Sequence, residues 1–300
     1  MKELEVKENN ELKLADLMQK YLKFIDVSEN TTKAYNVGLI QFNEYLKANG
    51  IKEPTRETII EFREYLLETH KPKTVNLYLI AVKNFYSWLE YEGITKDISK
   101  KIKGIKLEQR HLKRGLSQEE IKQVLGVCKD IREELLVKLM ITCGLRCNEV
   151  VNIEIQDFYK DGDAIMLKVL GKGRDGLKQD LVRIDNRLFE LIKEYCKQYN
   201  VTDYLFTSTS NHNTNGKLTT KTIRYIITNL FKKAKLDMEM ISTHSLRHST
   251  CELLLENGMP VQDVSQFLRH RSLATVMVYA KELNQKKCKA SNILGDYLFS

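Results

Sequence analysis

Three of the six histidines, three arginines and a tyrosine fall within the stretch 243–281, T-H-S-L-R-H-S-T-C-E-L-L-L-E-N-G-M-P-V-Q-D-V-S-Q-F-L-R-H-R-S-L-A-T-V-M-V-Y-A-K. His244 and Arg247 are three apart, the spacing that puts two side chains on one face of a helix. His248 follows at once. Gly258 and Pro260 mark a helix stop and a restart, and His270 and Tyr279 lie beyond them. A lone His-x-x-Arg pair reads as a solvated helix face, and a lone tyrosine at helical spacing reads as core. A guanidinium, imidazoles and a phenol together make a poor core. They suit a phosphodiester, because arginine grips phosphate oxygens bidentately and histidine donates to them.

Such a cluster needs a scaffold, and the rest of the chain reads as one. Residues 1–95 show four helical patterns, carried by Leu14–Ile25, Tyr35–Leu46, Ile59–Leu67 and Val75–Leu89, with Gly50 and Gly93 as stops and Pro54-Thr55 as a start. Short connections imply a compact four-helix unit. Lys33 and Lys73 stand at polar, basic helix starts, which suit phosphate contacts as well as ordinary capping. Residues 96–114 form a lysine-rich segment of weak periodicity, expected to be an extended linker. Ser117-Gln118-Glu119-Glu120 is a capping box that opens a second domain, 115–300. Within it, T-C-G-L-R-C-N-E-V-V (142–151) places Arg146 and Glu149 just after a helix stop at Gly144. Two strands, Ala164–Leu170 and Leu177–Ile184, flank a glycine-rich hairpin turn that carries Lys172 and Arg174.

At 300 residues the chain can build two cores. With 42% hydrophobic and 29% charged residues it is not a disordered chain. The net charge of +8 favours a polyanionic partner. Most of the excess is local: residues 96–114 hold 8 basic and 2 acidic side chains. Lys100, Lys101, Lys103 and Lys106 there are expected to strap along a DNA backbone. The six cysteines form no Cys-x-x-Cys pair, which argues against a zinc knuckle, and most are expected to be buried free thiols. No signal peptide and no membrane-length apolar run stand out, so a reducing cytoplasm is the expected compartment.

The boxes as a set closely resemble the signature of the tyrosine recombinases, the phage integrase family. His244-Ser245-Leu246-Arg247-His248 matches H-x-L-R-H, and Thr142-Cys143-Gly144-Leu145-Arg146 with Glu149 matches the first arginine box. Leu268-Arg269-His270 matches L-G-H, with Tyr279 nine residues on. Arg269 stands where that box has glycine, a difference expected to touch the local backbone and not the chemistry. The resemblance spans roughly residues 12–282. It implies a mainly α fold with a small β-sheet, in which an N-terminal helical core-binding (SAM-like) domain precedes the catalytic domain. It further implies that Tyr279 attacks the scissile phosphate to give a 3′-phosphotyrosine. Arg146 and Arg247 would hold the non-bridging oxygens, His244 and His270 would add hydrogen bonds, Glu149 and His248 would support, and Lys172 would protonate the leaving 5′-oxygen. Arg174 is the second choice for that acid.

No ATP is expected, since the covalent link stores the bond energy, and no metal, since the sequence offers no carboxylate cluster for magnesium. The implied partners are a double-stranded recombination site and a tetrameric synapse of this chain or a related recombinase. No membrane segment is expected, and a membrane-bound regulator stays open. The short build is most like the Xer branch, working through a Holliday junction in chromosome or plasmid dimer resolution. A mobile-element integrase or excisionase, a type IB topoisomerase-like activity and a non-catalytic DNA-binding accessory protein are the alternatives. The apolar tail, Ile293 to Phe299, is expected to dock on a neighbouring protomer in the assembled complex.

The acid assignment has its own test. Lys172→Ala should cleave an ordinary phosphodiester poorly and recover on a substrate whose 5′-bridging oxygen is sulfur, because a thiolate leaves without protonation. If the sulfur substrate stays slow, the acid is Arg174 or another group.

Overall fold

The four apolar patterns fold as four helices: α1 (residues 14–24), α2 (Glu29–Ala48), α3 (Arg56–Thr69) and α4 (Pro72–Tyr91). The computed structural model describes residues 14–107, 113–170, 179–208, 216–270 and 272–299. Two units result, residues 1–110 and 111–300. In the first, Tyr21, Phe42, Phe62, Phe85 and Trp88 fill the centre of the bundle. Helix α2 starts earlier than its apolar pattern suggests, because the Ser28 hydroxyl caps the Thr31 N–H and Glu29 complements the helix dipole. Lys33, exposed, is paired with Glu29 at 2.6 Å. Lys73 is exposed in the first turn of α4, behind Pro72.

The linker expectation needs correction. Residues 98–105 are not an extended strap but part of the first unit. Ile102 is buried in the bundle's core, and Ile98 and Ile105 pack against it. Asn76 bonds Ile105 in both directions, at 2.8 and 2.7 Å, Lys83 donates to the Ile102 carbonyl at 2.9 Å and Arg63 to the Lys103 carbonyl at 2.9 Å. Three isoleucines interleaved with the lysines gain more by burial than the lysines lose by crowding in high-dielectric solvent. Lys100 is tied to Glu90 at 2.6 Å, Lys101 takes a left-handed turn (φ 62°), and Lys103 and Lys106 are exposed.

The second unit runs α5 (Gln118–Gly126), α6 (Ile131–Thr142), α7 (Cys147–Val150), β1 (Phe158–Asp161), β2 (Ala164–Leu170), β3 (Gln179–Ile184), α8 (Asn186–Tyr199), α9 (Thr220–Lys233), α10 (Ser245–Glu256), α11 (Val261–Phe267), α12 (Ala274–Lys287) and α13 (Ala290–Phe299). The capping box at Ser117 and Glu120 is made. The sheet is antiparallel with order β1-β2-β3, and Ile165, Leu167 and Val169 alternate into the core. The sequence reading had two strands. The third, β1, is a four-residue edge strand with only two half-buried side chains, too short for a periodicity signal. Its clue was Gly162-Asp163, a two-residue hairpin loop with Gly162 at φ 57°, closed by the Asp161–Ala164 pair. Helix α6 lies at the centre: Leu135, Leu136 and Leu139 are fully buried, and Thr250 of α10 donates to its Ile141 carbonyl at 2.6 Å. All six cysteines are free, but only Cys143 and Cys251 are buried.

Helix α13 has no buried residue, and Phe299 is 91% exposed. The tail therefore contributes little to the stability of its own unit. Deleting residues 290–300 should move the thermal midpoint of the isolated chain by less than about 2 °C, the shift that a loss of about 1 kcal/mol would bring. A drop of many degrees would show the tail to be part of its own core.

Candidate active site

Helix α6 ends at Cys143, and Gly144 turns the chain with φ 56°. A Cβ at Gly144 would meet the Leu268 side chain at 2.5 Å, so glycine is required by conformation and by space. The turn delivers Arg146 to the head of α7. Glu149, one turn on, closes back on it as in a capping box: the Arg146 backbone N–H donates to Glu149 Oε2 at 2.9 Å, and the guanidinium to Oε1 at 2.6 Å. Glu149 is buried, while Arg146 keeps about a third of its side chain exposed.

Arg247 is the largest fully buried side chain among the described residues. Its guanidinium donates to the carbonyls of Gly144 and Leu268, and lies 4.0 Å from Glu149. These carbonyls belong to the C-terminal ends of α6 and α11. Two negative helix ends thus converge on one cation. Burial, and then Arg146, press the Arg247 guanidinium down to about 9, which leaves it charged at neutral pH.

Helix α11 stops in a Schellman motif: the Arg269 N–H bonds the Gln266 carbonyl at 2.9 Å and the His270 N–H that of Ser265 at 3.0 Å. Arg269 occupies the left-handed position, φ 53°, where a non-glycine residue costs roughly 1–2 kcal/mol. Its side chain folds back over both helix ends, donating to the carbonyls of Phe267 (2.9 Å), Cys143 (3.3 Å) and Gly144 (3.1 Å), and to Glu149 Oε2 at 3.1 Å. The expectation that Arg269 touches only the backbone is therefore corrected: it is a third arginine on the buried carboxylate. Burial alone would raise the Glu149 pKa, but the charge of Arg269 and the bonds from Arg146 hold it below the ordinary carboxylate value. The only sequence signal was an arginine at a glycine position.

His244 stands at the N-cap position of α10 and is close enough to Arg247 and Arg146 to feel their charge. Burial first, then these cations, lower its pKa. His270 is pushed down to about 4 by burial and by Arg247 and Arg146, and its Nδ1 is buried with no partner among the described residues. His248 stands edge-on to His244, ring centres 4.7 Å apart, and its Nδ1 is hydrogen-bonded to the Tyr279 hydroxyl. Tyr279 itself is 8% exposed, held on α12 among Cys251, Leu255, Val264 and Leu268.

The second unit thus brings together Arg146, Glu149, His244, Arg247, His248, His270 and Tyr279. Three arginines against one carboxylate leave two net positive charges, with two imidazoles held neutral beside them. That charge suits a pentacoordinate phosphorus intermediate, which carries two negative charges. Lys172 and Arg174 lie outside the described residues. Lys33, Lys73, Lys100, Lys101, Lys103 and Lys106 belong to the first unit. Tyr279 also lines a cavity of about 520 Å³, whose wall carries Glu119, Glu252 and Glu256 together with Lys113 and Arg114.

Residues 114–286 match the model of the Phage integrase family, and residues 18–93 match that of the phage integrase N-terminal SAM-like domain. Tyrosine recombinase XerA of Pyrococcus horikoshii is 25% identical over 280 residues, covering 92% of each chain. The XerH site-specific recombinase, in a post-cleavage complex with palindromic difH substrate, aligns with a TM-score of 0.73 at 24% identity, covering 88% of this chain and 80% of that one. A lambda integrase tetramer bound to a Holliday junction aligns with a TM-score of 0.67 at 17% identity, covering 89% and 76%. The two structural likenesses are likenesses of fold.

The depressed histidine has a measurable consequence. A folded pKa below the unfolded value of about 6.5 means that the unfolded chain binds the proton more readily. Stability is then retained above pH ~6.5 and declines as pH falls toward 4. His270 should be neutral at pH 7, its imidazole NMR signal titrating near 4, and His270→Gln should lessen the decline. A signal titrating at the ordinary histidine value would contradict the buried, cation-ringed setting.

Proposed function

The chain belongs to the phage integrase family, and on that premise we propose that it is a site-specific DNA recombinase of the Xer kind. It cuts and rejoins duplex DNA through a 3′-phosphotyrosine intermediate and a Holliday junction, in chromosome or plasmid dimer resolution. The observation that carries this reading is the pairing of Tyr279 with His248 in the unit where Arg146 and Arg247 meet Glu149, with His244 and His270 beside those arginines. The full-length relation to a protein named as a tyrosine recombinase supports it.

Tyr279 Oη attacks the scissile phosphorus, and the bond from phosphorus to the 5′-oxygen breaks. His248 orients the phenol. A neutral imidazole takes its proton, since a histidine held below its usual pKa is ready to accept at neutral pH. Arg146 and Arg247 hold the non-bridging oxygens, His244 and His270 donate to them as charge builds, and Lys172 protonates the departing 5′-oxygen. The 5′-hydroxyl of the partner strand then attacks the phosphotyrosine and restores the tyrosine. The phosphate bond energy is conserved in the phosphotyrosine, so the reaction draws on no ATP, and the arginines supply the positive charge at the phosphate, so it draws on no metal. Among the described residues no helix is long and apolar enough to cross a membrane, and we place the reaction in the cytoplasm.

The DNA partner is a double-stranded site, gripped on its phosphates by Lys33, Lys73, Lys103, Lys106 and Arg174, with Lys100 and Lys101 contributing once Lys100 leaves Glu90. The synapse is a tetramer of this chain or of this chain with a related recombinase. The exposed apolar helix α13 docks on the next protomer, a head-to-tail contact that closes a ring.

The decisive experiment begins by selecting bound duplexes from a random-sequence pool, then nicks the recovered site beside the cleavage position so that the released fragment diffuses away. A denaturing gel should then show a covalent protein–DNA adduct, absent in Tyr279→Phe, which still binds. An adduct in Tyr279→Phe would move the nucleophile elsewhere. No adduct from the wild type would leave a DNA-binding accessory protein, and relaxation of supercoils without two-site exchange would leave a topoisomerase.

A further inference from the structure

Glu149 has two carboxylate oxygens and three cationic neighbours. Oε1 takes the Arg146 guanidinium at 2.6 Å, and Oε2 takes both the Arg146 backbone N–H at 2.9 Å and the Arg269 guanidinium at 3.1 Å. Arg247 stands off at 4.0 Å. The direct salt bridges to Glu149 therefore come from Arg146 and Arg269, and Arg247 is held by the Gly144 and Leu268 carbonyls instead. The same Gly144 carbonyl is shared by Arg247 and Arg269. Any movement of Arg269 is felt at Arg247 through that carbonyl and at Arg146 through Glu149.

The backbone gives no reason of its own for an arginine here. Position 269 is the left-handed residue of a Schellman turn, which glycine fills without strain. Yet the side chain is almost wholly buried, 5% exposed, and it uses its N–H groups on three carbonyls and a carboxylate. Helix-capping alone would be met by the three carbonyl bonds. The fourth bond, to the carboxylate that holds Arg146, links the turn to the phosphate-gripping residue.

We propose that Arg269 is a positioning residue for the cleavage reaction: it holds Glu149 ionised and in one orientation, and so sets the Arg146 and Arg247 guanidinium groups against the scissile phosphate. This rests on the recombinase reading. Arg269 touches no substrate. Its effect belongs to the chemical step and not to DNA affinity, since phosphate contacts over the whole site dominate binding.

The test uses the full chain and the nicked duplex recovered by selection, with Arg269→Gly, Arg269→Lys and Arg269→Gln beside the wild type. Glycine suits φ 53°, so Arg269→Gly should fold, as near-ultraviolet circular dichroism will report. Single-turnover adduct formation at saturating DNA should fall about 100-fold in the glycine and glutamine variants, the scale expected when a reacting group is misplaced, while the dissociation constant for DNA stays near that of the wild type. Lysine, which can still reach Glu149 with a charge, should recover much of the rate. The pH profile carries the mechanism. Without Arg269 both Glu149 and His270 lose a cation that lowers their pKa, so the acid limb of the rate profile should move to higher pH in Arg269→Gly and stay in place in Arg269→Lys, which keeps the charge. Wild-type rate in Arg269→Gly, or equal loss in the glycine and lysine variants with an unmoved acid limb, overturns the proposal and leaves Arg269 a helix cap. Absence of an adduct from the wild type is the distinct failure of the recombinase reading itself.

Discussion

One buried carboxylate organises the second unit. Glu149 would be costly to bury alone, and three arginines packed without it would repel one another. Together they are stable because each charge meets an opposite one within 4.0 Å and because two helix C-termini point at the cations. The Cys143 and Gly144 carbonyls close α6, and the Phe267 and Leu268 carbonyls close α11. Both ends would otherwise leave acceptors unsatisfied, and both find them satisfied by guanidinium groups. The left-handed Gly144, the left-handed Arg269 and the four-residue α7 all follow from bringing those ends to one point. The site is therefore part of the fold's own solution to its helix termini, and the strain at Arg269 is offset by bonds that only a long, forked cation could make.

Charge balance then sets the protonation states. The two net positive charges and the burial act in one direction on His244 and His270, lowering both. Neutral imidazoles can donate and accept, which imidazolium ions cannot. A fully cationic cluster would hold a phosphate tightly in the ground state and gain less as charge builds in the transition state. The arrangement keeps permanent charge on the arginines and leaves the histidines free to change proton count during a reaction.

Much of this was legible in the sequence, and the reasons for the misses are physical. The helix stops at Gly144 and Gly258 and the restart at Pro260 could be read because glycine and proline free or restrict φ in ways that survive any packing. The capping box at Ser117 is a local interaction and was visible for the same reason. Strand β1 escaped because four residues, two half-buried and two exposed, carry no periodicity. Residues 98–105 were misread as an extended strap because Ile98, Ile102 and Ile105 are spaced four and three apart among lysines. Composition hid an apolar stripe that only the face of the bundle could reveal. Arg269 escaped because its importance lies in contacts with Glu149 and Gly144, more than a hundred positions away in the chain.

Tyr279 is held separately from the cations, and in the proposed reaction this separation bears on control. Tyr279 is carried by α12 and sits in a small apolar cluster with α10 and α11, while Arg146 and Glu149 are carried by α7 on the edge of the main core. Its hydroxyl rests on His248, the direct chain neighbour of Arg247. Helix α10 is thus common to both halves: one face presents Arg247 to the helix ends, and the next residue presents His248 to the phenol. Downstream of Tyr279, α12 leads through a short connection into α13, whose apolar side chains are exposed. A force applied to α13 by a docked neighbour would reach Tyr279 along α12 without passing through the arginine cluster. In the proposed assembly the arginines and Glu149 would therefore stay in place in every protomer, while the position of the tyrosine would be set protomer by protomer. That division suits a reaction in which a preformed phosphate site must wait for its nucleophile.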